Sequence, residues 1–241
     1  LAFDARLTHY NSLRAGDADF ALPGLVSSLS YERRFTPDLI GGQGAFRFDV
    51  MGVNRRSSAL TDSNGDGVTD GRDVARFSFG LDWRRQTLLG NGMVLGVGAG
   101  LNGAIYNVSQ DPTFADTITR FSPLLSVDLR WPWVKPGRNG HSAQVIEPVI
   151  QLVWSDEPSS AAPNEDSGLV EFDEGNLFSF SRFPGSDLYE SGLRANLGVN
   201  WVRKDPDGWS FGVTAGRVLR SEDLGQFSTG SRLSGTRSDW L

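Results

Sequence analysis

The residues best spaced for chemistry lie in the stretch DSNGDGVTDGRD, from Asp62 to Asp73. Asp62, Asn64, Asp66, the Val68 carbonyl, Asp70 and Asp73 stand at positions 1, 3, 5, 7, 9 and 12 of a twelve-residue calcium loop, with Gly67 at the sharp turn. Hard oxygen donors at that spacing suit calcium, the one metal expected here; no other cofactor is called for. Position 12 is Asp73 rather than a bidentate Glu, and a strand pattern follows instead of a helix. An Asp/Asn/Gly loop that merely favours turns is the alternative. Catalytic constellations are not in view. His9 and His141 are far apart and sit in no nucleophile or metal motif. The acidic pairs Glu165/Asp166 and Asp173/Glu174 read as loop residues in water or in a polar interior, so no enzyme is expected.

The elements that must position these loops are strands. Nine segments alternate with period two, at about 1–10, 25–36, 42–55, 75–90, 92–108, 118–133, 143–156, 187–204 and 208–220. Phe77, Phe79, Leu81 and Trp83 oppose Ser78, Gly80, Asp82 and Arg84; Leu193, Ala195, Leu197, Val199 and Trp201 oppose Arg194, Asn196, Gly198 and Asn200. Helical periodicity is absent, and no apolar run approaches the ~20 residues of a transmembrane helix. The 241 residues include no Cys, which removes disulfides and thiolate metal sites, and the net charge of -6 without a basic stripe argues against nucleic acid.

Connections alternate too: long at 11–24, 56–74, 109–117, 157–186 and 221–236, shorter at 37–41, near 91, at 134–142 and at 205–207. Trp83, Trp131, Trp133, Trp201 and Trp209 collect near the short turns and share parity with the apolar face of their strands. Long loops at one end, short turns at the other and an aromatic girdle are the marks of an outer-membrane barrel. The expected fold is all-β, an antiparallel transmembrane β-barrel. An open sheet would leave unpaired amides in lipid, so about nine to ten strands read as an internal fragment of a larger barrel. Two alternatives share much of this pattern: a general or substrate-specific porin, and a soluble all-β binding module.

Between Val145 and Gly198 the order of residues adds a resemblance. Glu147-Pro148-Val149-Ile150-Gln151-Leu152, Pro163-Asn164-Glu165-Asp166-Ser167, Glu171-Phe172-Asp173, Asn176-Leu177-Phe178, Arg182-Phe183-Pro184-Gly185-Ser186-Asp187 and Glu190-Ser191-Gly192-Leu193-Arg194 resemble the barrel of the lipopolysaccharide-assembly family LptD, also called organic solvent tolerance protein, in its alphaproteobacterial branch. Leu188 departs from the pattern, where a basic residue is expected after Asp187, and the absent cysteines depart from members matured through disulfides. The loop at 62–73 separately resembles dockerin-type calcium loops over its twelve residues alone.

The LptD resemblance implies a barrel of about 26 strands in the cell outer membrane. Such a barrel takes lipopolysaccharide from a periplasmic bridge and releases it into the outer leaflet among outer-membrane lipids. It also implies a plug lipoprotein, LptE, in the lumen. Residues 1–241 would all belong to that barrel domain, without its N-terminal periplasmic domain and without its terminal strands. The motif residues Asn164, Glu165, Asp166, Ser167, Asn176, Leu177, Phe178, Arg182, Phe183, Gly185, Asp187, Glu190 and Gly192 become the candidate site.

Two further expectations concern that stretch. Pro163–Arg194 carries Leu169, Val170, Phe172, Leu177, Phe178, Phe180 and Phe183, whose exposure would cost about 1.5–3 kcal/mol each, so it should fold back toward the polar face. Its acids should meet interior arginines such as Arg120 or Arg130. On the strand that follows, interior Asn196 and Gly198 are expected to meet water and to tolerate Ser.

Overall fold

The computed structural model describes residues 1–13, 22–137, 142–158 and 160–241; His141 lies outside them. Among the described residues ten strands form: β1 (Ala2–His9), β2 (Pro23–Phe35), β3 (Gln43–Arg55), β4 (Asp73–Leu88), β5 (Val94–Ser109), β6 (Thr117–Arg130), β7 (Trp133–Pro136), β8 (Ala143–Ser155), β9 (Gly192–Lys204) and β10 (Ser210–Arg220). They hydrogen-bond in one sheet in chain order, with β7 paired to β8 beside the path from β6 to β8. The pairs β1–β2, β2–β3, β6–β8, β7–β8, β8–β9 and β9–β10 are antiparallel. The sheet is that of a barrel fragment: the strand path runs from β1 to β10 without returning to β1.

Two boundaries differ from the sequence pattern. The sixth segment ends at Arg130, before Trp131-Pro132, because proline has no amide to donate to the ladder, and Trp133 with residues 134–136 of the expected connection forms the extra strand β7. The eighth begins at Gly192, whose φ of 89° lies in the left-handed region, so residues 187–191 belong to the loop.

Packing divides the chain into two compact units. The first comprises Leu1–Asp82, Gly100–Ser122 and Pro158–Asp166. Its strands bury Arg76, Ser78, Asn102, Arg120 and Ser122 while Phe77, Leu81, Leu101, Ile105 and Phe121 stand exposed. A small apolar cluster of Val74, Ala104, Tyr106, Val108 and Ile118 packs with Phe114 and Ala162. On the opposite face the Phe79 and Phe121 rings meet 6.1 Å apart over Gly103, where a Cβ would strike Phe79 at 2.3 Å.

The second unit comprises Trp83–Ala99, Pro123–Glu157 and Ser167–Leu241. It repeats the inversion: Ser126, Gln151, Ser155, Arg194 and Asn196 are buried, whereas Leu125, Val127, Ile150, Leu152, Trp154, Leu193 and Val199 are exposed. Tight turns close its hairpins. Leu89 N–H donates to Met93 O at 2.8 Å around Gly92, with φ 83°, and Asp205 N–H donates to Trp209 O at 3.0 Å around Gly208, with φ 88°. In each unit the polar stripe of the strands from β3 to β6 and from β8 to β10 is the more covered one and the apolar stripe is left bare, whereas β1 and β7 are exposed on both faces. Water would penalise the inverted arrangement; hydrocarbon rewards it.

Candidate functional site

What covers the polar stripe is mainly the long connection between β8 and β9. Its first part belongs to the first unit. Glu165 is held there by two guanidiniums: Arg55 donates from Nη2 to Oε2 at 2.9 Å and from Nη1 to Oε1 at 3.2 Å, and Arg72 approaches Oε1 from Nε at 2.9 Å and from Nη2 at 2.8 Å. All three side chains are buried. Arg72 also faces Asp111 at 3.5 Å, and Arg76 donates to Asp166 at 2.8 Å. Burial pushes the Asp111 carboxyl up, but the Thr113 amide and hydroxyl, the Thr69 hydroxyl and Arg72 together hold it below the usual carboxylate range.

The remainder of the connection belongs to the second unit and is built around Glu190. Arg182 Nη1 donates to Glu190 Oε2 at 2.5 Å, Arg220 Nη2 to Oε1 at 2.8 Å, and Arg194 Nε lies 3.7 Å from Oε1. The Glu190, Arg182 and Arg194 side chains are fully buried, and Arg220 nearly so. Burial alone would raise the Glu190 carboxyl; the guanidiniums of Arg182, Arg194 and Arg220 outweigh it and hold the carboxyl below its usual range. Burial pulls Arg182 down from its ordinary value, against the attraction of Glu190.

Carbonyls and amides take up most of the other guanidinium donors, Nε of Arg182 and Arg194 being left without a hydrogen bond among the described residues. Arg182 Nη2 reaches Leu177 O at 2.6 Å and Asn196 Oδ1 at 2.8 Å; Asn196 in turn donates to Gln151 Oε1 at 2.7 Å. Arg194 bonds Phe180 O and, at 3.2 Å each, Ser155 Oγ and Glu190 O. Arg220 Nη1 reaches Leu233 O at 2.8 Å. One carboxylate thus ties the loop to β8, β9, β10 and the segment after β10.

Apolar packing finishes the seal. Leu177 seats over Gly198 of β9 and Gly216 of β10, where added Cβ atoms would lie 2.8 Å and 2.5 Å from its Cδ2. Phe172, Leu177, Val218 and Leu233 form a buried cluster, and the Phe183 and Phe227 rings stack at 4.9 Å. Asn176 pins the turn below Leu177: its N–H donates to Asp173 Oδ1 at 3.0 Å and its Nδ2 to Glu171 O at 2.6 Å. Ser167 Oγ accepts Leu188 N–H at 3.3 Å, which gives Leu188 a backbone role in place of a charge contact. Asp187 is buried, Gly185 half-buried and Asn164 exposed. The loop does fold onto the polar face, though Leu169 remains 89% exposed.

Two expectations are corrected in part. Glu165 and Asp166 do meet interior arginines, Arg55, Arg72 and Arg76 among them, but Arg130 pairs with Asp128 and Glu147. Asn196 and Gly198 lie beneath the loop rather than in water. The sequence had marked Arg194 and Asn196 by their inward parity; Arg55, Arg72, Asp111 and Arg220 sit at strand ends or in loops, where parity carries no signal.

In the 62–73 loop, Asp62 accepts Gly65 and Gly67 N–H at 2.7 Å and 2.9 Å, and Asp66 accepts Val68 N–H at 2.8 Å. The Gly67 amide is foremost in holding the Asp62 carboxyl below its usual range. Asp70 accepts Ser63 Oγ at 2.5 Å, and Asp73 accepts Arg55 N–H at 2.7 Å. Asn64 Oδ1 accepts Asp66 N–H at 3.1 Å. Among the described residues no three His, Cys, Asp or Glu side chains gather as a metal-holding group. His9 Nε2 lies 3.4 Å from Arg56 Nη2.

The model of the LptD family, LPS transport system D, matches residues 2–241. The chain belongs to the LptD family. No curated protein matches it. LptD proteins are an outer-membrane family of transport and assembly proteins, and lipopolysaccharide transport, rather than a porin's diffusion, is the function of this barrel segment. The LptD match extends well past the motif stretch to every strand of the sheet.

Proposed function

We propose that residues 1–241 form part of the wall of one lipopolysaccharide-exporting barrel in the cell outer membrane, and that the β8–β9 connection is a fixed lining of its interior. The carrying observation is the inverted burial: the loop is bonded through Glu165, Asp166, Arg182 and Glu190 to the polar stripe, while the apolar stripe is bare. Lipopolysaccharide moves without covalent chemistry in this reading. It is delivered by a periplasmic bridge, and the plug lipoprotein LptE stands against the lined interior. Deleting Asn164–Phe183 from the full-length protein is expected to lower heat-modifiable barrel, recovered LptE and surface lipopolysaccharide together. Normal export after the deletion, with protease cleaving the wild-type loop throughout on intact cells, would overturn the lining.

Calcium at the 62–73 loop is a second, separate element of the proposal, supported by the donor spacing. Binding would require Asp70 and Asp73 to exchange their bonds with Ser63 and Arg55 for the ion. Calorimetry on the full barrel should show calcium heat that the Asp62→Ala, Asp66→Ala double variant lacks; no heat in the parent protein retires the idea.

A further inference from the structure

At the short-turn end of the second unit the bare face changes chemistry in three successive levels. The first is aromatic and apolar. Trp133, Ile146, Trp201 and Val213 are directly opposed across β7, β8, β9 and β10, so they share one face in one row. The Trp131 ring packs edge-on against Trp133 at 5.1 Å, and Trp201 against Phe211 at 5.8 Å. Two residues further along each strand, about 7 Å away, comes the row Lys135, Gln144, Arg203 and Phe211, on the same face by the same registers. This level is cationic. Lys135 is exposed, and Arg203 Cζ lies over the Trp209 ring, 5.3 Å from its centroid, with the side chain 41% exposed.

The third level is the turn Asp205-Pro206-Asp207-Gly208 and is acidic. Asp205 Oδ2 stands 3.5 Å from Arg203 Nη2, and its Oδ1 accepts the Asp207 N–H at 3.4 Å, which fixes the turn and leaves Asp207 exposed at its tip. Lys204, exposed, has the opposite parity to Arg203.

Apolar, then cationic, then acidic is the complement of a zwitterionic lipid headgroup read from its acyl chains outward: ester and chain, phosphate, ammonium. Lys135 and Arg203 are two strands apart, about 10 Å between their Cα atoms, so both long side chains can close on one phosphate above Gln144. A primary ammonium can donate hydrogen bonds to the Asp207 carboxylate; a quaternary one has no proton to donate. We propose that this surface binds phosphatidylethanolamine, with Lys135 and Arg203 on the phosphate and Asp207 on the ammonium. Bound lipid of this kind would fix the depth of the β7–β10 edge in the leaflet on the short-turn side.

The inference rests on the membrane-barrel reading above, and the experiment separates the two. Full-length protein is placed in nanodiscs of equimolar phosphatidylethanolamine, phosphatidylglycerol and phosphatidylcholine, released in mild detergent, and its retained lipid counted by native mass spectrometry. Wild type should retain phosphatidylethanolamine above the other two. The Lys135→Gln, Arg203→Gln variant should lose about fivefold in retention per cation removed. Asp207→Asn should abolish the preference for phosphatidylethanolamine over phosphatidylcholine while phosphate-dependent retention persists. The heat-dependent gel shift confirms that each variant is folded. Wild type that inserts but retains the three lipids equally, or prefers phosphatidylglycerol, overturns this inference alone, as does unchanged retention in the double variant. Failure of wild type to enter nanodiscs overturns the membrane reading with it.

Discussion

Each unit hides one glutamate of the same loop among arginines, and the two surroundings differ in balance. Around Glu165 the charges cancel: Arg55 and Arg72 face Glu165 and Asp111. Around Glu190 three guanidiniums share one carboxylate, and carbonyls take up several of the surplus donors. Buried ion pairs offset their own desolvation only when every lone pair and proton is satisfied. The first cluster approaches that demand with a second acid and the second with backbone dipoles of the loop and of the segment after β10; Nε of Arg55 in the one and of Arg182 and Arg194 in the other is left without a hydrogen bond among the described residues. So the Glu190 cluster can form only when those segments are already in place, whereas the Glu165 cluster is held by two carboxylates of different loops. Loss of one carboxylate should therefore be felt very differently at the two sites.

The largest effect is expected from Glu190→Gln. It leaves Arg182, Arg194 and Arg220 mutually repelling in a dry site, and removal of one partner from such a cluster costs about 3–5 kcal/mol. Urea unfolding of the detergent-solubilised barrel should show that loss, and the loop should become accessible to protease. A variant as stable as the parent would mean that the carbonyls alone carry the three guanidiniums. Glu165→Gln should cost less, about 1.5–3 kcal/mol for its charged hydrogen bonds, because Asp111 still faces Arg72. An equal or greater loss than Glu190→Gln would reverse the comparison.

Acid sharpens it with the smallest effect. Because the folded Glu190 carboxyl is held below its ordinary value, its contribution is complete above the unfolded value and disappears only as pH falls through the depressed folded one. Between neutrality and the ordinary carboxylate range, about pH 4, the gap in urea midpoint between wild type and Glu190→Gln should stay constant, and it should narrow below that. A gap that closes near pH 6 would contradict the held-down carboxyl.

The strands, their faces and most of their limits were fixed by the sequence alone, because period-two alternation is a local property and hydrocarbon demands it of every strand. Phe77 against Ser78 and Leu193 against Arg194 already tell which side is bare. The residue order from Glu147 to Arg194 likewise carried the family, and the apolar groups of the loop announced that it must pack. Which arginines it meets was not legible. Arg55 lies 110 residues from Glu165, and Arg220 lies 30 from Glu190 on a strand that follows the loop. Gly198 and Gly216 likewise read as bare interior glycines until Leu177 is seen to fill the space above them. Such pairings follow from register across the sheet and from the path of a connection with no periodicity, so only the tertiary structure decides them. The physical reason is range: alternation acts between neighbours two residues apart, whereas a buried charge takes whichever partner the folded chain brings within about 3 Å.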